Sequence, residues 1–161
     1  MSIPTEIERK FLLINVPAEV LAASGGRMIE QGYLVTDSDG NEVRIRRAGG
    51  RCSLAVKCGS GLERTEVEVA LANEAFEDLW AVTHRRRVFK TRYDVPLAGE
   101  LLAEVDVYAG ALDGLATVEV EFGSVAAARA FVAPEWFGPD VTDRGDFKNR
   151  ALATFGLPAD I

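Results

Sequence analysis

Polar and apolar positions alternate along most of the chain, and the alternation gives way to helical spacing in a few short stretches. With a period of two, every second side chain shares a face. In residues 6–12, Glu6, Glu8 and Lys10 therefore point one way, and Ile7, Arg9 and Phe11 the other. The same period predicts further strands over 28–36, 42–48, 52–58, 63–71, 85–95, 100–108 and 116–123. Turn-forming clusters separate them, among them residues 37–41, Gly49-Gly50, Gly59-Ser60-Gly61 and residues 110–114. Helical spacing appears at 16–24, opened by Pro17 and closed by Gly25-Gly26. It returns at 73–83, where Phe76, Leu79, Trp80 and Thr83 form one face behind Asn73 as N-cap. A third helix follows Ser124 and runs to about 132, and a last one covers about 146–156, stopped by Gly156 and Pro158. Residues 134–143 read as irregular.

Seven of the eight strands pair an apolar face with a charged one; the strand holding Tyr33 is the exception. The charges come in same-sign doublets: Glu6 with Glu8, Arg44 with Arg46, Glu66 with Glu68. Lys90 with Arg92, Glu104 with Asp106, and Glu119 with Glu121 complete the set. A one-sided sheet with a solvated charged face is one reading. A face serving only solubility would intersperse signs, because neighbouring like charges repel. The other reading is an α+β fold: a closed eight-stranded antiparallel barrel, with the charges inside and the helices packed on the apolar outside. Eight strands leave room for one small ligand. The doublets, with Lys10, Lys57 and Arg64, would then face inward, and such an interior must be wet, since dry burial costs several kcal/mol per ion. A lattice of salt bridges that merely stiffens the barrel is a weaker account, because buried ion pairs stabilise poorly.

The 161 residues suit one domain spanning 1–161. With 25 acidic and 18 basic residues, the net charge is −7, which argues against general affinity for nucleic acid or anionic membranes. No apolar run reaches the length of a membrane span and the first residues do not read as a signal peptide, so a cytoplasmic location is expected. Cys52 and Cys58 lie six residues apart on one strand, roughly 20 Å, too far for a disulfide, and are expected as buried thiols. His84, the sole histidine, falls at a helix end rather than among the charged strands.

Taken together, Glu6-x-Glu8-x-Lys10, Arg44-x-Arg46, Lys57, Arg64-x-Glu66-x-Glu68, Lys90-Thr91-Arg92-Tyr93, Glu104-x-Asp106 and Glu119-x-Glu121-Phe122 resemble the signature of the CYTH family, the triphosphate tunnel metalloenzymes. Any one element is weak; their order and spacing are specific. The resemblance implies a tunnel of eight antiparallel strands that binds triphosphate compounds with one or two Mg2+ or Mn2+ ions. It implies hydrolysis of inorganic triphosphate to pyrophosphate and phosphate by metal-activated water, as in the short bacterial inorganic triphosphatases. Glu6, Glu8 and Glu121 would hold a metal, and Asp106 and Glu119 would place a second one or orient the attacking water. Lys10, Arg44, Arg46, Lys57, Arg64, Lys90 and Arg92 would grip the substrate, with Lys10 and Arg92 also among the catalytic groups. Glu104 and Tyr33 would support them, and Glu66 and Glu68 would either position the Arg and Lys side chains or hold metal.

Thiamine triphosphatase, adenylate cyclase and a non-catalytic polyphosphate- or nucleotide-binding module are the alternatives. A thiamine site would need an aromatic cradle, for which Tyr33, Trp136 and Phe137 are the candidates. The last helix is expected at one tunnel mouth, and whether Phe147, Lys148 and Arg150 reach the site stays open, as does a homodimer through the outer helices.

Overall fold

Edge-to-edge pairing of the eight alternating stretches continues until the sheet closes. A computed structural model describes residues 4–23 and 25–161, so the expected helix end at Ser24 lies outside the described residues. The strands are β1 (Thr5–Leu12), β2 (Arg27–Thr36), β3 (Glu42–Ala48), β4 (Arg51–Cys58), β5 (Glu63–Leu71), β6 (Arg87–Pro96), β7 (Leu102–Ala109) and β8 (Ala116–Glu121). They form a closed barrel in the order β1-β5-β4-β3-β2-β6-β7-β8, every neighbour antiparallel. The helices are α1 (Ala18–Ala23), α2 (Asn73–Val82), α3 (Val125–Ala130) and α4 (Asn149–Phe155).

The apolar strand faces point outward, and the helices cover parts of them. Phe76 of α2 packs on Ile45 and Cys52, with Leu34, Leu54 and Trp80 around them. On the far side, Phe11, Val105, Val118 and Val120 are covered by Ala128 of α3 and by Phe131, Trp136 and Phe137. The end of α2 comes so close to β2 that a Cβ at Gly32 would lie 2.6 Å from the Thr83 hydroxyl, which explains the glycine. Ser124 caps α3, its hydroxyl accepting from the Ala127 amide. Asn73 does not cap α2: Ala72 is the N-cap, and the Asn73 side chain accepts from the Cys52 thiol instead.

Coverage is incomplete. Val67 and Val69 on the outer face of β5 are 45% and 52% exposed. Cys58 is exposed too, contrary to expectation, because α2 reaches Cys52 and Leu54 but not the far end of β4.

The stretch expected as irregular has a structural role. β1 pairs with β5 only over Thr5–Ile7 and with β8 over Glu8–Leu12, which leaves one edge of its second half free of strands. Residues 138–142 fill that edge, with the Leu12 amide donating to Pro139, Gly138 to Leu12, and Val141 to Lys10. Arg9, pointing outward, clamps the seam. Its guanidinium pairs with Asp140 at 2.6 Å and donates to the carbonyls of Ala128 in α3 and of Phe131 just after it.

Beyond the seam, Phe147 and Leu152 pack on Val88, Tyr108 and Leu115. Val88 lies two residues before Lys90 and Tyr108 two after Asp106, so both face the barrel interior. The C-terminal segment therefore fills one end of the barrel with an apolar cluster, and the remainder of the interior stays polar.

Candidate active site

The interior is a cavity of about 290 Å³ whose wall carries eight carboxylates and eight cationic side chains. Strand parity brings them there: Glu6, Glu8 and Lys10 from β1, Arg44 and Arg46 from β3, Lys57 from β4. Arg64, Glu66 and Glu68 come from β5, Lys90 and Arg92 from β6, Glu104 from β7, and Glu119 and Glu121 from β8. Tyr33 lines the wall as well, its hydroxyl accepting at 2.6 Å from the Gln31 side-chain amide.

Three lining residues, Glu42, Gln31 and Asn149, were not among the sequence candidates, and Lys148, whose reach was left open, joins them. Glu42 and Gln31 each precede an inward residue by two, Arg44 and Tyr33 respectively, so parity alone could have found them. Lys148 and Asn149 come from the C-terminal segment, where no periodic signal points inward. Asn149 is held by the Tyr108 hydroxyl, 2.6 Å from its side-chain oxygen. Phe147 belongs to the apolar end cluster rather than the site, and Arg150 borders a neighbouring cavity.

Most of the charges are paired. Lys57 bridges Glu6 at 2.5 Å and Glu66 at 3.1 Å; Arg44 meets Glu66 at 3.3 Å and Arg46 meets Glu68 at 2.9 Å. Lys10 lies 3.0 Å from Glu119, which also accepts from Arg92 at 2.7 Å. Asp106 is fully buried behind this wall, bonded to Lys90 at 2.5 Å and to Arg92 at 2.6 Å, while Arg92 also reaches Glu104. Sequence reasoning placed Asp106 at a metal or the attacking water; it does not line the cavity, and both its oxygens are occupied by cations.

The electrostatics separate two groups of acids. Burial would raise Glu119, but Lys10, Lys90 and Arg92 hold it well below the usual carboxylate range. Asp106 is likewise lowered, with Arg92 and Lys90 overcoming its burial. Glu8 is pushed up by burial and by the charges of Glu119 and Glu6, and Glu121 by burial and by Glu6 and Glu8. Glu6 is also raised by burial, although Lys57 opposes the shift. Among the bases, burial pulls Lys90 down to about 8, reinforced by Arg92 and Lys10 against the pull of Asp106. Arg44 stays charged despite burial because Tyr33, Glu66 and Glu42 surround it.

What is left unpaired defines what the cavity can accept. Glu8 and Glu121 are cross-strand partners and, among the described residues, neither makes an ion pair. Two donors on the opposite side of the balance, Arg44 Nε and Lys148 Nζ, are buried with no acceptor among the described residues. Among the described residues no three carboxylates converge on one point. Glu6, Glu8 and Glu121 still suit a hard divalent cation: oxygen donors, adjacent along and across β1 and β8, whose mutual repulsion a cation would relieve. Trp136 and Phe137 lie in the outer apolar cluster, which leaves Tyr33 as the one aromatic side chain in the wall among the described residues.

No model of a known protein family matches the chain. An inorganic triphosphatase from Nitrosomonas europaea is 46% identical over 149 residues, 92% of this chain and 97% of the relative. The crystal structure of an inorganic triphosphatase superposes with a TM-score of 0.67 at 42% identity, covering 95% of this chain and 97% of that one. A Hippeastrum protein, a candidate adenylyl cyclase described as having a dominant triphosphatase activity, shares the fold. Its TM-score is 0.53 at 14% identity, over 77% of this chain and 82% of that one.

Proposed function

Because this chain belongs to the triphosphate tunnel metalloenzyme family, we propose that it hydrolyses inorganic triphosphate to pyrophosphate and phosphate with Mg2+ or Mn2+. The observation that carries the reading is the double surplus in one cavity. Among the described residues, Glu8 and Glu121 lack a cation, and Arg44 Nε and Lys148 Nζ lack an acceptor. A polyphosphate carrying a divalent cation satisfies both at once. Among the described residues Tyr33 is the one aromatic side chain in the wall, too little to cradle an organic ring, which favours the inorganic compound over thiamine triphosphate.

Phosphoryl transfer asks the protein mainly to position reactants and neutralise charge. Glu6, Glu8 and Glu121 would hold the cation, which when bound neutralises phosphate charge and makes a nearby water more acidic. Arg44 and Arg46, adjacent on β3, present guanidinium forks to non-bridging oxygens, and Lys10, Lys57 and Arg92 add positive charge along the wall. Asp106 and Glu119 act as anchors: their low-lying carboxylates are poor bases, and they fix Lys90, Arg92 and Lys10 in place. Lys90, lowered to about 8, is better matched to accept the proton of the attacking water near neutral pH. Glu66 and Glu68 hold Arg44, Arg46 and Lys57 rather than a metal, and Glu104 holds Arg92.

The test is a panel of triphosphate, pyrophosphate, ATP and thiamine triphosphate with Mg2+ or Mn2+, following phosphate and cyclic AMP. Turnover should be fastest on inorganic triphosphate. Cyclic AMP as the main product would make this a cyclase, and micromolar binding without turnover would make it a binding module.

A further inference from the structure

A second cavity, of about 280 Å³, lies between the turn joining β4 to β5 and the C-terminal segment. Arg64 and Lys148 line both it and the tunnel, so the two cavities share a wall. Arg150 borders the second cavity and not the first. Two of its three cations carry buried nitrogens without partners among the described residues, Lys148 Nζ and Arg150 Nη1. A buried donor left unpaired costs free energy, more so when charged. Lys148 and Arg150 also sit at the N-terminal end of α4, where a cation gains nothing from the helix backbone.

The third cation, Arg64, is fixed: it donates to the carbonyls of Gly59 and Gly40 and pairs with Glu42 at 3.3 Å. One acid, Asp143, is at the rim; it is exposed and makes no ion pair with these cations among the described residues. Ser60, Thr142 and glycines 59, 61 and 145 make up the rest of the wall, small side chains or none among the described residues.

We infer that this cavity is a second anion site, gripped by Arg150 and Lys148, that takes one tetrahedral phosphate group. Two sources offer that group: free orthophosphate, or the terminal phosphoryl of a chain longer than triphosphate whose other end lies in the tunnel. Only the second source rests on the triphosphatase reading; orthophosphate binding stands without it.

The experiment uses the full chain, metal-free so that nothing turns over, with the tunnel saturated by tripolyphosphate. Orthophosphate is titrated in, with calorimetry and amide chemical shifts as readouts. Wild type should bind one orthophosphate and shift the amides of Gly59, Gly61 and Gly145. Arg150→Gln should weaken that binding roughly tenfold or more, and Arg150→Lys should keep most of it. A separate arm compares KM for tripolyphosphate and tetrapolyphosphate with Mg2+. A rise in Arg150→Gln for the longer chain alone identifies the terminal phosphoryl as the ligand. Equal KM values with loss of orthophosphate binding identify the free ion. Absence of orthophosphate binding and of amide shifts in wild type overturns the inference without any variant having to fold. So does unchanged orthophosphate binding in folded Arg150→Gln.

Discussion

Glu8 and Glu121 stand directly opposite each other across the β1–β8 ladder, both lining the interior; burial with Glu119 and Glu6 raises the pKa of Glu8, and burial with Glu6 and Glu8 that of Glu121. Like charges in direct opposition destabilise a sheet, so this pair carries a cost that a cation removes.

Glu8→Gln tests that relationship. Without divalent metal, the variant should melt at or above the wild-type temperature, because one of two repelling charges is gone. With Mg2+, wild type should gain more melting temperature than the variant, since only ligands of the folded state stabilise it by mass action. Activity should fall severely at low Mg2+ and recover in part as Mg2+ rises. Full activity at low metal would remove β1 from the metal site.

Lys90 sets the expected pH profile. Its pKa is lowered to about 8, so the free amine appears as pH rises through that value. The specificity constant kcat/KM, which reports groups of the free enzyme, should climb between roughly pH 7 and 9 and then level off. Arg stays protonated across this range, so Lys90→Arg should lose both activity and the rising limb. A slow variant that kept the same limb would assign the proton transfer to another group.

Much of this site is readable in the chain because a strand has only two faces. Once Glu6 and Glu8 are placed inside, Lys10 follows, and the other doublets obey the same rule. Depth along the barrel is not readable in that way. Glu104 and Asp106 have the same parity, yet Glu104 lines the cavity while Asp106 is sealed behind Lys90 and Arg92. Cys52 and Cys58 also share a face, and only the reach of α2 decides that one is covered. Lys148 reaches the tunnel because residues 138–142 dock on the open edge of β1, a long-range pairing that leaves no local period.

That docking gives a stability prediction at acid pH. Burial would raise Asp140, but Thr142 and Arg9 pull it below its ordinary value. A carboxylate depressed in the folded state stabilises the fold above its unfolded pKa, about 4, and the contribution is lost as pH falls below it. Asp140→Asn should cost about 1 kcal/mol at neutral pH, the pair being partly exposed, and the difference from wild type should shrink toward pH 3. Urea titrations at pH 7 and pH 3 read it; a constant difference would mean that the charge on Asp140 is not what holds the seam.

Asp106→Asn decides whether that carboxylate anchors cations or binds metal. Asp106 has no exposed surface and answers two cations, Lys90 and Arg92. An amide of the same shape leaves them short of one buried negative charge, and breaking such a group costs roughly 3–5 kcal/mol. In a domain of this size that lowers the melting temperature on the order of 10 °C, and it should do so in metal-free protein. Extra Mg2+ should rescue neither stability nor activity, because a cation cannot replace the missing anion. Tripolyphosphate without metal should restore part of the stability, its oxygens answering Lys90 and Arg92 from the cavity side. Glu104→Gln is the control: two residues along β7, bonded to Arg92 alone with a side chain 35% exposed, it should cost far less. If Asp106→Asn instead melts like wild type without metal and regains activity as Mg2+ rises, Asp106 is a metal ligand and the anchor role assigned to it is wrong.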